Sequence, residues 1–405
     1  MKTKLIALSI FAATAATVTF FPTIQHALAN TNQQPIIIDP VVIPIVATIT
    51  KPKIEVVFVL DTTGSMSELI DTAKEKIWSI ASTMASAQNA PDIKMGLVAY
   101  RDRGDAYVTQ SVALSSDLDL MYAQLMDFQA EGGGDTPESV NQALYEAINN
   151  MTWSQDQDTY KVVFLVGDAP AHMDYQDDVK YPETIKVAKT KGIIINTIQA
   201  GQDSETTANW QQMASLGNGD YFQVEQSGNA VAIATPFDKK MAELSKELDD
   251  TRLYYGDREQ KEKQASKLVA TAKLHALASD ESRARRAEFN STTSGKANFL
   301  GENELVDAIV SGDVELASIK NEDLPESIQA MPMEEQALFI RQKAEKRDNL
   351  AEEMKVLAEN RNAYLKKQVA AEGGRKDSFD AKIFNSIRGQ AKEKGLVYNE
   401  DSARY

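Results

Sequence analysis

The sequence predicts a doubly wound, mostly parallel α/β domain followed by a mainly helical C-terminal region with long helices. Continuous β-branched apolar runs at Ile54 to Leu60, Met95 to Tyr100, Lys161 to Val166 and Ile193 to Ile198 have the character of parallel strands buried on both faces. Helical stretches alternate with them at Ser67 to Gln88, Leu118 to Gln129, Pro137 to Asn150 and Pro182 to Lys191, and that alternation builds a parallel sheet. After about Gly228 the strand signal stops and only helical periodicity remains.

The elements follow in chain order. Lys2 and Lys4 precede an apolar run from Leu5 to Phe21, and Ala27-Leu28-Ala29 supplies small residues for a peptidase, so residues 1–29 are expected to be an export signal cut after Ala29. The run falls short of the roughly 20 residues of a spanning helix, so no stable membrane span is expected after cleavage and the mature protein is expected to be secreted or periplasmic. Residues 30–53 read as a Pro-rich linker, with Pro35, Pro40, Pro44 and Pro52 forbidding helix. The α/β domain is expected over 54–227, with Ala106 to Leu114 as an antiparallel edge strand and Asp220 to Val224 closing the sheet.

Phe237, Met241, Leu244 and Leu248 mark one helical stripe in an extension over 228–278. Residues 279–301, rich in Arg, Ser, Thr and Gly, are expected to be a mobile connector. In the last region, 302–405, a long helix from about 333 to 371 carries Ile340, Leu350, Met354, Leu357 and Tyr364 on a heptad register interrupted by Lys343, Arg347 and Arg361. At about 1.5 Å per residue it would extend on the order of 58 Å. A helical hairpin, a coiled coil giving a homo-oligomer, and a single charged helix on the first domain all fit the stripe. Beyond Gly373 a short helix with a loose end is expected.

Composition narrows the chemistry. A formal net charge of −16 makes nucleic acid a poor partner, because the surface repels phosphate. The absence of cysteine excludes disulfides, thiolate metal sites and a Cys nucleophile.

The first strand ends in Asp61-Thr62-Thr63-Gly64-Ser65, which sets a carboxylate and two hydroxyls around one point at the carboxyl end of a parallel strand. Gly132-Gly133-Gly134-Asp135-Thr136-Pro137 precedes a helix, and Gly167-Asp168 follows another buried run. Together these resemble the von Willebrand factor A-type domain, whose metal-ion-dependent adhesion site (MIDAS) begins with Asp-x-Ser-x-Ser. Here the middle serine is replaced by Thr63, and Gly167-Asp168-Ala169-Pro170 stands where the family usually has Thr-Asp-Gly. That loop and Tyr100-Arg101-Asp102 are similar to the A-type domains that accompany alpha-type kinases.

The resemblance covers approximately Ile54 to Glu225 and implies a metal set of Asp61, Thr63, Ser65, Thr136 and Asp168. Thr63 and Ser65 would bind directly, Asp61 and Asp168 largely through water. It implies Mg²⁺ or Mn²⁺, with Ca²⁺ as the alternative, and an acidic group of a protein or glycan ligand as the partner. Arg101, Asp102, Asp135 and His172 are expected on the ligand-facing rim. Asp174, Asp177 and Asp178 are read as a solvated acidic loop, with a second calcium position as the alternative.

Two rival functions stand beside this one. In the first, the helices make the protein a structural or scaffolding component of the envelope. In the second, Asp61 is the phosphoryl acceptor of a haloacid-dehalogenase-type phosphotransferase, but the general-acid Asp two residues on is missing. No Ser/His or Cys/His nucleophilic set can be assembled, so the chain is expected not to be an enzyme.

Overall fold

The computed structural model describes residues 51–134, 136–227, 233–371 and 379–399. The expected export signal, most of the Pro-rich linker and Asp135 lie outside them.

Six strands form one sheet: β1 (Lys53–Asp61), β2 (Asp92–Tyr100), β3 (Thr109–Ser115), β4 (Tyr160–Gly167), β5 (Ile193–Ala200) and β6 (Tyr221–Val224). Their spatial order is β3-β2-β1-β4-β5-β6, and every pair is parallel except β2 with β3, which is antiparallel. The order reverses between β1 and β4, so the crevice at the carboxyl ends of these two strands is the place for a ligand.

Alternation along the central strand divides the core. Ile54, Val56, Phe58 and Leu60 of β1 enter one apolar cluster, and Val57 and Val59 enter another on the opposite face. Helices α1 (Ser67–Ala85) and α2 (Leu118–Leu125) cover the first face. The second is covered by α3 (Val140–Tyr145), α4 (Tyr181–Thr190) and α5 (Ser204–Leu216).

The helical region comprises α6 (Asp238–Asp249), α7 (Arg258–Leu277), α8 (Asp280–Asn290), α9 (Lys296–Leu300), α10 (Leu305–Ser311), α11 (Glu326–Gln329), α12 (Met333–Ala371) and α13 (Phe379–Gln390). Among the described residues no helix is long and apolar enough to cross a membrane.

The mobile connector expected over 279–301 is instead folded as α8 and α9. Ser279 caps α8 by accepting from the Ser282 amide at 3.1 Å, and Phe289 is buried in the first-face cluster of the sheet. Several of the polar residues that suggested mobility, Arg285, Arg286 and Ser294 among them, are buried. Arg286, 0% exposed, donates to both oxygens of Asp119 on α2 at 2.6 Å and to Asp249 on α6 at 2.7 Å. Asn298 of α9 accepts from the Leu118 and Asp119 amides at 2.6 and 3.1 Å and so closes the start of α2.

The short helix expected beyond Gly373 is α13, but the stretch after it is not loose over the described residues. Up to Asn399 it is anchored: Ile383, Phe384 and Ile387 join the first-face core, and Gln390 exchanges hydrogen bonds with Tyr160 and Asn196 of the sheet.

Helix α12 buries its stripe within its own chain. Leu350 and Met354 pack with Met241, Leu244 and Leu248 of α6, while Ile340 packs with Leu305 and Ile328. The cations that interrupt the heptads are anchors. Lys343 donates to the Asp250 carbonyl at 2.9 Å, Arg347 pairs with Glu304 at 2.9 Å, and Arg361, 1% exposed, pairs with Asp238 at 2.6 Å.

Candidate metal centre

Asp61 is the last residue of β1 and has no solvent exposure. Its Oδ1 accepts from the Thr63 amide at 2.9 Å and the Thr63 hydroxyl at 2.7 Å, so the chain turns back over the carboxylate at once. The Ser65 hydroxyl lies 3.4 Å from that of Thr63 and is exposed. Asp61 Oδ2 is buried with no hydrogen-bond partner, and two other buried oxygens nearby, the Tyr100 hydroxyl and Glu138 Oε2, also lack one.

Two further loops close on this point. The Gly64 amide donates to the Gly132 carbonyl at 3.2 Å, and Glu131 donates to the Thr62 carbonyl at the same distance. Gly132 and Gly133 have φ of +76° and +75°, a backbone that glycine adopts without strain, and a Cβ on Gly133 would lie 3.0 Å from that of Thr63. The next turn is fixed to the third loop, with the Glu138 amide donating to the Pro170 carbonyl at 2.9 Å. Thr136 stands exposed between these attachments.

Gly167 brings the third loop in. A Cβ there would lie 2.5 Å from the Tyr100 hydroxyl and 3.0 Å from Asp61 Oδ2, so only glycine lets β4 pass this close. Asp168 follows, partly exposed, with its carbonyl accepting from Thr206 at 3.1 Å and its Oδ2 accepting from Gln226 Nε2 at 2.7 Å.

Electrostatics follow from this crowding of acids. Burial pushes the Asp61 carboxyl up to about 7; the Asp168 charge adds to this, and the Thr63 bonds offset part of it. Burial, then the charges of Asp61, Asp102, Asp105 and Asp168, raise Glu138 to about 9.

Of the sequence-predicted set, the structure brings together Asp61, Thr63, Ser65 and Asp168, with Thr136 on the adjoining loop. Arg101, Asp102 and His172, expected on the rim, each have only 4% exposure and lie beneath it. Arg101 donates to the Thr62 carbonyl at 3.2 Å and the Gln129 carbonyl at 2.8 Å, holding the first two loops. Asp102 accepts from Ser139 and Tyr175, each at 2.8 Å. His172 stacks on Tyr175 at 3.9 Å, with Nδ1 2.8 Å from Asp174 and Nε2 3.4 Å from Asp102. These side chains position the loops that carry the site. In the acidic loop, Asp177 and Asp178 pair with Arg103 at 2.9 and 2.6 Å. Among the described residues no cluster of three His, Cys, Asp or Glu side chains could hold a metal, so any cation here relies on hydroxyls as well as carboxylates.

Sequence reasoning quoted Tyr100 within Tyr100-Arg101-Asp102 but gave a site role neither to it nor to Glu138 or Gln226. Glu138 lies two residues beyond Thr136, where extending the quoted motif would have found it. Nothing in the spacing pointed to the other two.

The site is thus a switch-point crevice of an α/β head, lined by hydroxyls and carboxylates from three loops. Residues 55–235, a little under half of the chain, match the model of the von Willebrand factor A domain family. Two curated proteins are similar over shorter stretches. An ariadne-like RING finger protein of Acanthamoeba polyphaga mimivirus is 28% identical over 122 residues, 29% of this chain and 11% of that protein. The alpha-protein kinase vwkA of Dictyostelium discoideum is 28% identical over 120 residues, 29% of this chain and 19% of the kinase. This chain thus spans less than a fifth of either relative's length.

Among solved structures, the SpRpn10 VWA domain aligns at 13% identity with a TM-score of 0.33, covering 43% of this chain and 89% of that one. Proximal thread matrix protein 1 of the mussel byssus aligns at 16% identity with a TM-score of 0.35, covering 44% of this chain and 42% of that one, in a structure with a zinc-occupied MIDAS motif.

Proposed function

We propose that the head is a divalent-cation-dependent binding module and not an enzyme. In this reading Asp61, Thr63, Ser65, Thr136 and Asp168 hold Mg²⁺ or Mn²⁺, and an acidic group of a protein or glycan partner completes the ion's shell. Domains of this family are commonly metal-dependent protein-interaction modules.

The observation that carries the proposal is the bare, buried Oδ2 of Asp61 beside the hydroxyls of Thr63 and Ser65. A carboxylate at this depth is ordinarily paired, because an unpartnered buried charge is costly. Here Tyr100 sets a neutral hydroxyl and Glu138 a second carboxyl beside it, and neither brings a positive charge. Oxygen-only donors of this kind suit hard cations, Mg²⁺ and Mn²⁺ first, with Ca²⁺ accommodated by the same chemistry. When bound, the ion supplies a Lewis-acidic position that attracts a carboxylate. Thr63 and Ser65 contribute neutral oxygens, so little of the ion's charge is cancelled by direct ligands. Asp61 and Asp168 orient its bound water.

The same reading puts the protein outside the cytoplasm, supported by Lys2, Lys4 and the Ala27-Leu28-Ala29 site. Calorimetric titration of the full chain with Mg²⁺ and Mn²⁺ tests the site. Saturable heat is expected from the wild type and none from the Asp61→Ala, Asp168→Ala double variant; equal heats from both overturn the assignment.

A further inference from the structure

We infer that Gln226 is a built-in clasp on this site, holding in the cation-free protein an oxygen of Asp168 that cation binding must draw on, and so setting the cation affinity. The inference rests on the metal-binding reading above and deepens it.

β6 ends at Val224, and Gln226 follows two residues later as the chain leaves the sheet. Its Nε2 donates to Asp168 Oδ2 at 2.7 Å and to the Ser65 carbonyl at 3.0 Å. One amide therefore ties the first and third site loops to the segment after the last strand. Its Oε1 turns toward Gly201, where a Cβ would come within 2.7 Å of it and where the φ of +74° favours glycine. The next residue is held too: the Ser227 carbonyl accepts from the Thr72 hydroxyl of α1 at 2.7 Å.

The chemical type of the residue matters. A lysine or arginine here would neutralise Asp168. A neutral amide satisfies one carboxylate oxygen and leaves the negative charge in place to attract a cation. A hydrated cation brings water protons to the same carboxylate, so the amide and the ion's water compete for it. Linkage then requires that whatever stabilises the cation-free contact lowers cation affinity by the same factor.

The test titrates the full chain with Mg²⁺ in three forms: wild type, Gln226→Ala and Gln226→Glu. Losing this exposed hydrogen bond to a carboxylate is expected to tighten Mg²⁺ binding by about three- to tenfold in the alanine variant. The glutamate variant keeps the side chain's length but removes the donor and adds charge, so it is expected to bind tighter still. Hydrogen exchange over 221–227 is expected to rise with Mg²⁺ in the wild type and to be high and insensitive to Mg²⁺ in Gln226→Ala. A brace that merely orders the loops would weaken Mg²⁺ binding when removed, and equal or weaker binding by the alanine variant overturns the clasp alone. No Mg²⁺ binding by the wild type overturns the site reading and the clasp together.

Discussion

Replacing Arg286 by methionine should destabilise the whole described unit by about 4 kcal/mol, within the roughly 3–5 kcal/mol typical of removing one partner from a buried ion pair. The guanidinium has no solvent exposure and serves two carboxylates, bonding Asp119 at 2.6 Å through two nitrogens and Asp249 at 2.7 and 3.2 Å. Burial alone would raise both acids. The Arg286 charge outweighs it, holding Asp119 well below the usual carboxylate range and Asp249 at about 2, with Lys267 and Arg252 assisting.

Methionine fills similar volume but leaves two buried negative charges facing one another. Asp119 would keep Thr271 at 3.1 Å and Lys267 at 3.7 Å, and Asp249 would keep His275 at 2.7 Å and Arg252 at 3.3 Å. These residual partners argue for the middle of the range rather than its top. Against a total stability of roughly 5–15 kcal/mol the loss is large.

The assay is equilibrium urea unfolding followed by tryptophan fluorescence. All three tryptophans, Trp78, Trp153 and Trp210, lie in the α/β head, whereas Arg286 lies on α8. Trp78 is 6.0 Å from the Phe289 ring of that helix. A shared core therefore requires the tryptophan transition to shift. Adding Asp119→Asn and Asp249→Asn to Arg286→Met should recover most of the loss, since the unpaired charges go with them. A tryptophan transition that stays put while helical circular dichroism is lost at lower urea would refute the shared core.

The remaining predictions concern the site. Asp61, at about 7 in the folded chain against about 3.9 unfolded, makes the metal-free fold bind a proton that the unfolded chain has released, so stability falls as pH rises from about 4 to 7, by on the order of 4 kcal/mol. Asp61→Asn should flatten that slope in urea titrations between pH 5 and 8 and stabilise the metal-free protein at pH 8; Glu138, raised to about 9, keeps a residual slope of the same sign, and a slope as steep as wild type counts against the Asp61 shift. Gly167→Ala sets a methyl group 2.5 Å from the Tyr100 hydroxyl and should cost about 1–3 kcal/mol in thermal unfolding; a melting point equal to wild type would show that the strand end has room to spare.

Strands β1, β2, β4 and β5 were legible because each carries a continuous apolar run, and burial on both faces of a parallel sheet demands that pattern, whereas the edge strands β3 and β6 are more polar and less buried. Helix α5 was missed. Its buried side, Thr206, Trp210, Met213 and Ala214, does fall at i, i+4, i+7 and i+8 but carries only two large apolar side chains, and the Asp203 cap, accepting from the Thr206 amide at 2.7 Å, was also there to be read. Residues 279–301 misled for the opposite reason, since arginine and asparagine read as surface unless their buried partners are known. Asp119, Asp249 and Arg286 are far apart in sequence, and no local pattern announces that they meet. At the site, hydroxyls and carboxylates at fixed spacing were visible. The amide of Gln226 acts through tertiary contacts that spacing does not encode, whereas Glu138 stood just past the quoted Thr136-Pro137.

The heptad stripe of α12 shows how a correct periodicity can carry more than one architecture. Leu350 and Met354 meet α6 inside the same chain, and the charges that break the register are the residues that fix the helix there. A coiled-coil dimer through this stripe would have to expose that apolar surface and separate Arg361 from Asp238, leaving each without the 2.6 Å partner that makes its burial tolerable. Surface left over for another copy or a partner lies elsewhere on the helix, where Leu338 and Val356 are about half exposed at 53% and 50%. The interrupting cations thus mark α12 as a strut fastened to the turn after α6 by Lys343 and Arg347 and to α6 itself by Arg361. Because α6 is in turn bound through Asp249 and Arg286 to Asp119 on the head, displacing the strut strains the same charged cluster that joins the helices to the sheet.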